Sequence, residues 1–453
     1  MPVVHEDTIA ALATPDGESA IALIRVSGGE TQRLVREIFA VAAPLPRLAR
    51  HGDYRDRGGQ LVDDVVHSFF AGPASYTGED TVEIGCHGNP YIAQRVLEDL
   101  FARGCRPAEA GEFTKRAFLN GRMDLSQAEA VMDLIHARSE RALEAANRQL
   151  RGALGKQIAA AIERLVAVVA QVEAYIDFPD EDLPAENRIR LLGDLAELRQ
   201  DTGRLLATAH YGALLRDGVR TVIVGEPNAG KSSLLNRLLG WERALVSPEP
   251  GTTRDFLEEP RVLGAHKIRF VDTAGLNPTP APLERRGIER TLERAAEADL
   301  FLLVLDATRP CPTLPLELSA RLQSGNTVVV WNKSDLAKAG ELPEPWRGFV
   351  QVAVSALAGH GIEELEREIS KLVDRECLKI DGDLIAVNAR HASDLTEAGE
   401  CFAAAEAKLR DHAADELMAS DLRGALDALG RIGGRVDHER ILDKLFSSFC
   451  IGK

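Results

Sequence analysis

One segment, TVIVGEPNAGKSSLLNRLL, constrains the fold of this chain more than any other. An apolar run from Thr221 to Val224 enters Gly225-Glu226-Pro227-Asn228-Ala229-Gly230-Lys231-Ser232, which fits GxxxxGKS, and an amphipathic helical pattern follows. Glycines let such a loop curl its backbone N–H groups around phosphate, and the helix N-terminus adds a favourable dipole. In this arrangement Lys231 reaches the β and γ phosphates and the Ser232 hydroxyl binds Mg²⁺. Asn228, Ala229, Gly230 and Ser233 line the same phosphates.

Later motifs follow in a matching order. Gly251-Thr252-Thr253-Arg254-Asp255 lies where a switch segment offers a hydroxyl, from Thr252 or Thr253, to the metal. A strand from Ile268 to Val271 then delivers Asp272-Thr273-Ala274-Gly275: an Asp for the metal's outer shell and a Gly whose N–H meets the γ-phosphate. Taken singly, the first is an ordinary turn and the second a helix N-cap; their position after the P-loop joins them. The strand Thr327 to Trp331 leads to Asn332-Lys333-Ser334-Asp335. An Asp carboxylate accepts two hydrogen bonds from guanine's N1–H and exocyclic amine, a donor pair that adenine lacks. Asn332 can bond the base edge, and the Lys333 stem can cover its face. Ser355-Ala356-Leu357, after the strand Val350 to Val354, is placed to support the same base through backbone N–H groups. The nucleotide is therefore GTP, and the ordered set resembles the translation-factor-like GTPases. Small signalling GTPases place a water-orienting Gln after DTAG, whereas here the residue is Leu276. Either hydrolysis is very slow or another group takes the task. The acidic candidate is Glu284 in LERRGIER, otherwise a solvated carboxylate at a helix start.

The α/β pattern occupies only part of the 453 residues, a length that suggests about three domains. Residues 1–120 mix short β-like runs (Ala20 to Val26, Val65 to Phe70, Thr81 to Cys86) with Gly- and Pro-rich turns, an α+β texture. From Leu125 the pattern is helical, with Ser126 and Glu129 spaced as a capping box, and Leu191, Leu195 and Leu198 later share one face. Strand–loop–helix alternation fills 218–376, and 377–453 is helix-like again. The economical organisation is a domain at 1–120 and a helical domain made of 121–217 and 377–453, with an α/β domain inserted at 218–376.

The 54 Lys plus Arg stand against 70 Asp plus Glu, a formal net charge of −16. Each of the three regions is net acidic, which weighs against non-specific, phosphate-driven nucleic-acid binding. Cys86, Cys105, Cys311, Cys377, Cys401 and Cys450 show no CxxC spacing, so a reducing cytosol fits best. No apolar run approaches the ~20 residues of a membrane span, and the acidic N-terminus is no signal peptide. The tail FSSFCIGK reads as docked, with Phe446 and Phe449 as anchors; Cys450 is open between packing and chemistry.

Taken with the P-loop set, DTIAALATP, GESAIALIRVSG, SYTGEDTVEIGCHGNP, RPAEAGEFTKRAFLNGRMDLSQAEAV and the terminal FCIGK resemble the MnmE (TrmE) family of tRNA-modifying GTPases, across essentially the whole chain. The resemblance implies an N-terminal domain related to folate-dependent aminomethyltransferases, which makes a homodimer and binds a reduced-folate one-carbon carrier. It implies a discontinuous helical domain and an inserted GTPase domain. It implies work with the flavoprotein MnmG, in a heterotetramer, to install a carboxymethylaminomethyl-type group on carbon 5 of the wobble uridine of tRNA. The partner supplies FAD and uses NADH. Arg25, Glu83 and Lys453 match the family's folate contacts, and Arg122 stands where some members have Lys. Asn228 matches a K⁺ ligand, and the loop from Ser247 through Glu249 to Thr252 matches the one enclosing that ion. K⁺ there takes the place of an arginine finger and offsets charge developing on the phosphoryl group. Glu284 matches the water-activating carboxylate. The acidity then implies that the partner supplies much of the RNA-binding surface.

Rival readings are a regulatory or ribosome-assembly GTPase without modification chemistry, and a folate-dependent aminomethyl transferase acting without nucleotide. The folate-type motifs are idle in the first, and the guanine set in the second. A purely structural tRNA chaperone fits poorly with the charge.

Overall fold

The computed structural model describes residues 7–177, 185–239, 258–272, 298–378 and 385–434, together with Phe446, Phe449 and Gly452. The chain divides into two compact units, one of Met1–Met132, Leu150–Asp194 and Ala404–Lys453, the other of Asp133–Gln149 and Leu195–Ala403.

The first unit is built on a sheet in the order β3-β4-β5-β2-β1-β6. Its strands are β1 (Ile9–Leu12), β2 (Ser19–Ser27), β3 (Ala49–Arg55), β4 (Leu61–Phe70), β5 (Thr81–Gly88) and β6 (Arg106–Pro107). All neighbours are antiparallel except β1 and β6. Side chains alternate across a strand, so Ala22, Ile24 and Val26 of β2 bury on one face while Leu23 and Arg25 take the other. The buried face meets α1 (Thr31–Phe39) and α2 (Pro90–Ala102) through Leu34, Val35, Val96 and Leu100. Full burial of such a side chain contributes about 1.5–3 kcal/mol. Strand β3, ARHGDYR, is a sheet edge with mostly polar side chains, so its sequence carries no apolar alternation.

Helices α3 (Glu112–Leu119) and α4 (Leu125–His136) follow. The capping box of α4 is not the Ser126–Glu129 pair but Asp124 with Gln127. Asp124 Oδ1 accepts from Gln127 N at 2.8 Å, and Gln127 Oε1 accepts from Asp124 N at 2.9 Å. Reciprocity requires a residue before the first turn, and Ser126 lies inside it, donating to Asp124 Oδ1 at 2.7 Å. The long helix α6 (Ala153–Asp177) packs along α13 (Asp415–Gly433); Leu154, Ile158, Leu165 and Val172 are buried on the first and Leu422, Ala425, Leu429 and Ile432 on the second. Phe446 and Phe449 close on Leu125, Ala128 and Met132, their rings 5.2 Å apart.

The second unit carries a sheet in the order β12-β11-β10-β7-β9-β8. Its strands are β7 (Val219–Val224), β8 (Glu258–Leu263), β9 (His266–Asp272), β10 (Leu300–Asp306), β11 (Thr327–Asn332) and β12 (Val350–Ala353). Every pairing is parallel except the β8–β9 edge. Both faces are covered, so β10 reads as a continuous apolar run. Leu300, Leu302 and Val304 join one core, and Phe301, Leu303 and Leu305 join the other. Helices α5 (Glu140–Leu150), α8 (Ala209–Asp217), α9 (Lys231–Leu239), α10 (Leu316–Ser319) and α11 (Ile362–Leu378) belong here. Leu191, Leu195 and Leu198 are buried on α7 (Ala185–Ala207), and α12 (Ala389–Arg410) buries Leu395, Ala398 and Phe402. Among the described residues, no helix is long and apolar enough to cross a membrane.

Candidate functional site

Strand β7 lies between β9 and β10, where the strand order reverses, and its C-terminal end opens into the Gly225–Gly230 loop. Two glycines let this loop lie against its neighbours. Gly225 has φ +149°, and a Cβ there would stand 2.2 Å from the Val304 carbonyl oxygen; Gly230 has φ +91°, and a Cβ would meet Asn332 Nδ2 at 2.1 Å. Asn228 takes a left-handed backbone at φ 67°, which Asn tolerates better than most residues. Lys231 Nζ donates to Gly225 O at 2.9 Å and Glu226 O at 2.7 Å, so its ammonium lies against the loop backbone. Ala229 is buried, while Ser232 and Ser233 are exposed in the first turn of α9. An exposed hydroxyl beside a phosphate-type loop fits the donor set for Mg²⁺.

The base-side loops converge on this one. Asn332, 3% exposed, donates from Nδ2 to Ala229 O at 2.8 Å and accepts at Oδ1 from Ala356 N at 3.0 Å. Its amide thus ties the P-loop to the Ser355–Leu357 loop. Lys333, at φ 63°, donates to Asp306 Oδ2 at 2.5 Å. Burial raises the Asp306 carboxyl, but bonds from Lys333 and Thr308 outweigh that and take it down to about 2. Asp335 is exposed, Lys333 is half-buried, and Leu357 stands 86% exposed, which leaves this edge open to a planar base. Ser355 is fully buried and its Oγ accepts from Ala358 N at 3.1 Å.

In the other unit, Arg25 on β2 faces Glu83 directly across on β5. Arg25 donates to Glu83 Oε1 from Nη2 at 2.7 Å and from Nε at 3.0 Å. The guanidinium also donates to Gly452 O at 3.3 Å and lies over the Tyr76 and Phe113 rings, 5.3 and 5.6 Å from their centroids. Arg122 is exposed, its stem beside Gly78. A paired charge on an aromatic floor suits a flat, polar heterocycle with an anionic tail.

Family models match along the chain: one described as the GTP-binding protein TrmE N-terminus over residues 8–122, and one described as the MnmE helical domain over 125–450. The tRNA modification GTPase MnmE of Opitutus terrae is 58% identical over 451 residues, covering 99% of each chain. Those of Akkermansia muciniphila and Aquifex aeolicus are 44% and 42% identical, each covering 99% of this chain and 99% or more of their own. The chain belongs to the MnmE family.

Its class is accordingly multidomain: an α+β N-terminal domain, a helical domain, and a P-loop GTPase domain within the span of the helical one. Solved structures similar over part of the chain include the G domain of T. maritima FeoB, 24% identical over 34% of this chain and 98% of that one at a TM-score of 0.25. Era bound to MgGDPNP and ribosomal RNA is 26% identical over 40% of this chain and 66% of that one at a TM-score of 0.27.

Several site residues expected of an MnmE-family chain lie outside the described residues: Ser247, Glu249, Thr252, Thr253, Thr273, Ala274, Gly275, Leu276, Glu284, Cys450 and Lys453. Asp272 is described only as the end of β9. Sequence reasoning passed over Asp306, although a carboxylate ending the strand beside β11 was a visible signal. It also passed over Arg116. That guanidinium, 1% exposed, meets Asp7 Oδ1 at 2.8 Å, Glu112 Oε1 at 2.9 Å and Glu79 Oε2 at 3.2 Å. Ser27 Oγ also donates to Glu79 Oε2 at 2.8 Å, joining this network to the end of β2. Among the described cysteines, Cys86, Cys105 and Cys311 are free thiols, and burial pushes Cys86 up to about 11 and Cys105 to about 12.

Proposed function

We propose that this chain is a potassium-stimulated GTP hydrolase that acts with the flavoprotein MnmG to modify carbon 5 of the wobble uridine of tRNA. The observation that carries the reading is end-to-end similarity to chains named tRNA modification GTPase MnmE, one of them 58% identical. The bridging of P-loop and base loop through Asn332 supports the nucleotide half.

In this reading, residues 1–120 are the folate-binding and dimerisation domain, 121–217 and 377–453 the helical domain, and 218–376 the GTPase domain. Asn228, Ala229, Gly230, Lys231, Ser232, Ser233, Ser247, Thr252, Thr253, Asp272, Thr273, Ala274 and Gly275 serve the phosphates and metal. Asn332, Lys333, Asp335, Ser355, Ala356 and Leu357 form the base side. Mg²⁺ falls to Ser232 and Thr253, and K⁺ to Asn228, Ser247, Glu249 and Thr252, supplying positive charge where the transferring phosphoryl group gains negative charge. Glu284 activates water. Arg25, Glu83, Arg122 and Lys453 hold a reduced folate that carries the one-carbon unit, and Cys450 is kept as a candidate for chemistry. The complex is a cytoplasmic homodimer joined by MnmG, which brings FAD, NADH chemistry and much of the tRNA surface.

Nucleoside analysis of tRNA from cells lacking this protein tests the whole. Loss of the C5-modified wobble uridine is expected, and a normal nucleoside profile would sink the reading.

A further inference from the structure

Ser355–Gly359 is a loop whose backbone donors are nearly all spent on the protein. Ser355 N donates to His360 O at 3.0 Å, Ala356 N to Asn332 Oδ1 at 3.0 Å, Ala358 N to Ser355 Oγ at 3.1 Å and Gly359 N to Ser355 O at 2.7 Å. Among the described residues, Leu357 N alone in this stretch has no acceptor, and its side chain stands 86% exposed. That amide is the loop's available donor.

Its direction is set from the P-loop helix. Arg237, in the second turn of α9, donates from Nε to Ala356 O at 3.3 Å and from Nη2 to Leu357 O at 2.7 Å. A peptide unit is planar and trans, so pinning the Ala356 carbonyl also fixes the Leu357 N–H on the opposite side of the same plane. Pinning Leu357 O fixes the next plane as well, and a guanidinium fork can hold two acceptors at once where an ammonium offers a point charge. Gly359, at φ +84°, makes room for the fork, since a Cβ there would stand 3.3 Å from Arg237 Cζ.

We propose that Arg237 is a positioning residue for base recognition: it holds the Leu357 N–H toward the 6-oxygen of guanine. This deepens the GTP reading and rests on it. Arg237 touches no nucleotide atom; it acts through two peptide planes.

The test is a cycle between protein and ligand, using the full chain and fluorescence-monitored titration. Arg237→Ala should weaken GDP binding by up to about ten-fold, the upper scale of a neutral hydrogen bond. Binding of 6-thioguanosine diphosphate should fall by less than about three-fold, because that base keeps N1–H and the 2-amino group but carries a poor acceptor at position 6. Arg237→Gln, which keeps a polar side chain on α9 and loses the charged fork, should show the same base-dependent loss with an unchanged thermal midpoint. Equal losses for both nucleotides in the two variants, or no loss for GDP, would overturn the proposal. A wild-type chain that binds ADP as well as GDP would instead overturn the guanine reading beneath it.

Discussion

Asp306 shows how a residue with no motif of its own enters a site. Its one signal is the carboxylate that ends the apolar run LFLLVLD; parallel pairing sets Asp306 beside Asn332, and the next residue, Lys333, completes an ion pair with a carboxylate 7% exposed. Because the carboxyl sits below its ordinary 3.8, at about 2, the pair stabilises the fold fully above 3.8 and loses that contribution as pH falls through about 2. Asp306→Asn is therefore expected to lower stability at neutral pH, with the gap to wild type closing between those values in denaturant titrations. A gap that persists unchanged at the acidic end would rule the pairing out as its source. Arg116 is the opposite case. Its residue type was visible, but burial beside Asp7, Glu79 and Glu112 depends on helix α3, which carries both Glu112 and Arg116, meeting the distant positions 7 and 79. Removing the Arg116 charge leaves the largely buried Glu79 and Glu112 carboxylates without it, so this cluster is a structural commitment of the N-terminal unit.

At the scale of elements, periodicity served well where one face was buried and poorly elsewhere. The runs in β2, β4 and β5 were legible from alternation, and the helical face of Leu191, Leu195 and Leu198 from its spacing. Strand β3 was not, because an edge strand is held by backbone pairing with β4 and needs no apolar side chains. The capping box of α4 shifted by two residues for a related reason: a cap is defined by where the first N–H groups lose partners, and local spacing alone admits more than one frame. Asp124→Ala should cost about 0.5–2 kcal/mol in chemical denaturation. Glu129→Ala should cost no capping energy, and the reverse ranking would return the box to Ser126 and Glu129. The P-loop illustrates the complementary rule. Its glycines were readable because no other residue fits where backbone passes within contact of Val304 and Asn332.

For the whole molecule, the hydrolysis proposal carries its own test. If K⁺ stands in for an arginine finger, GTP turnover should fall by about ten-fold or more when Na⁺ replaces K⁺. Glu284→Ala should keep GTP binding and lose turnover. Equal rates in both salts would remove the ion from the proposal without touching the guanine site. By itself the sequence determined the family, the P-loop and its guanine motifs, and the strongly periodic elements, because each depends on residue types at short, fixed spacings. Only the tertiary structure decided that Asn332 joins two loops, that Asp306 partners Lys333, that Arg116 is buried among carboxylates, and that Arg25 meets Glu83 and the carbonyl of Gly452. Those contacts join positions up to 427 residues apart, and no local pattern encodes a partner that distant. The strand register and helix packing bring them within bonding distance, and burial then makes leaving any of them unpaired costly.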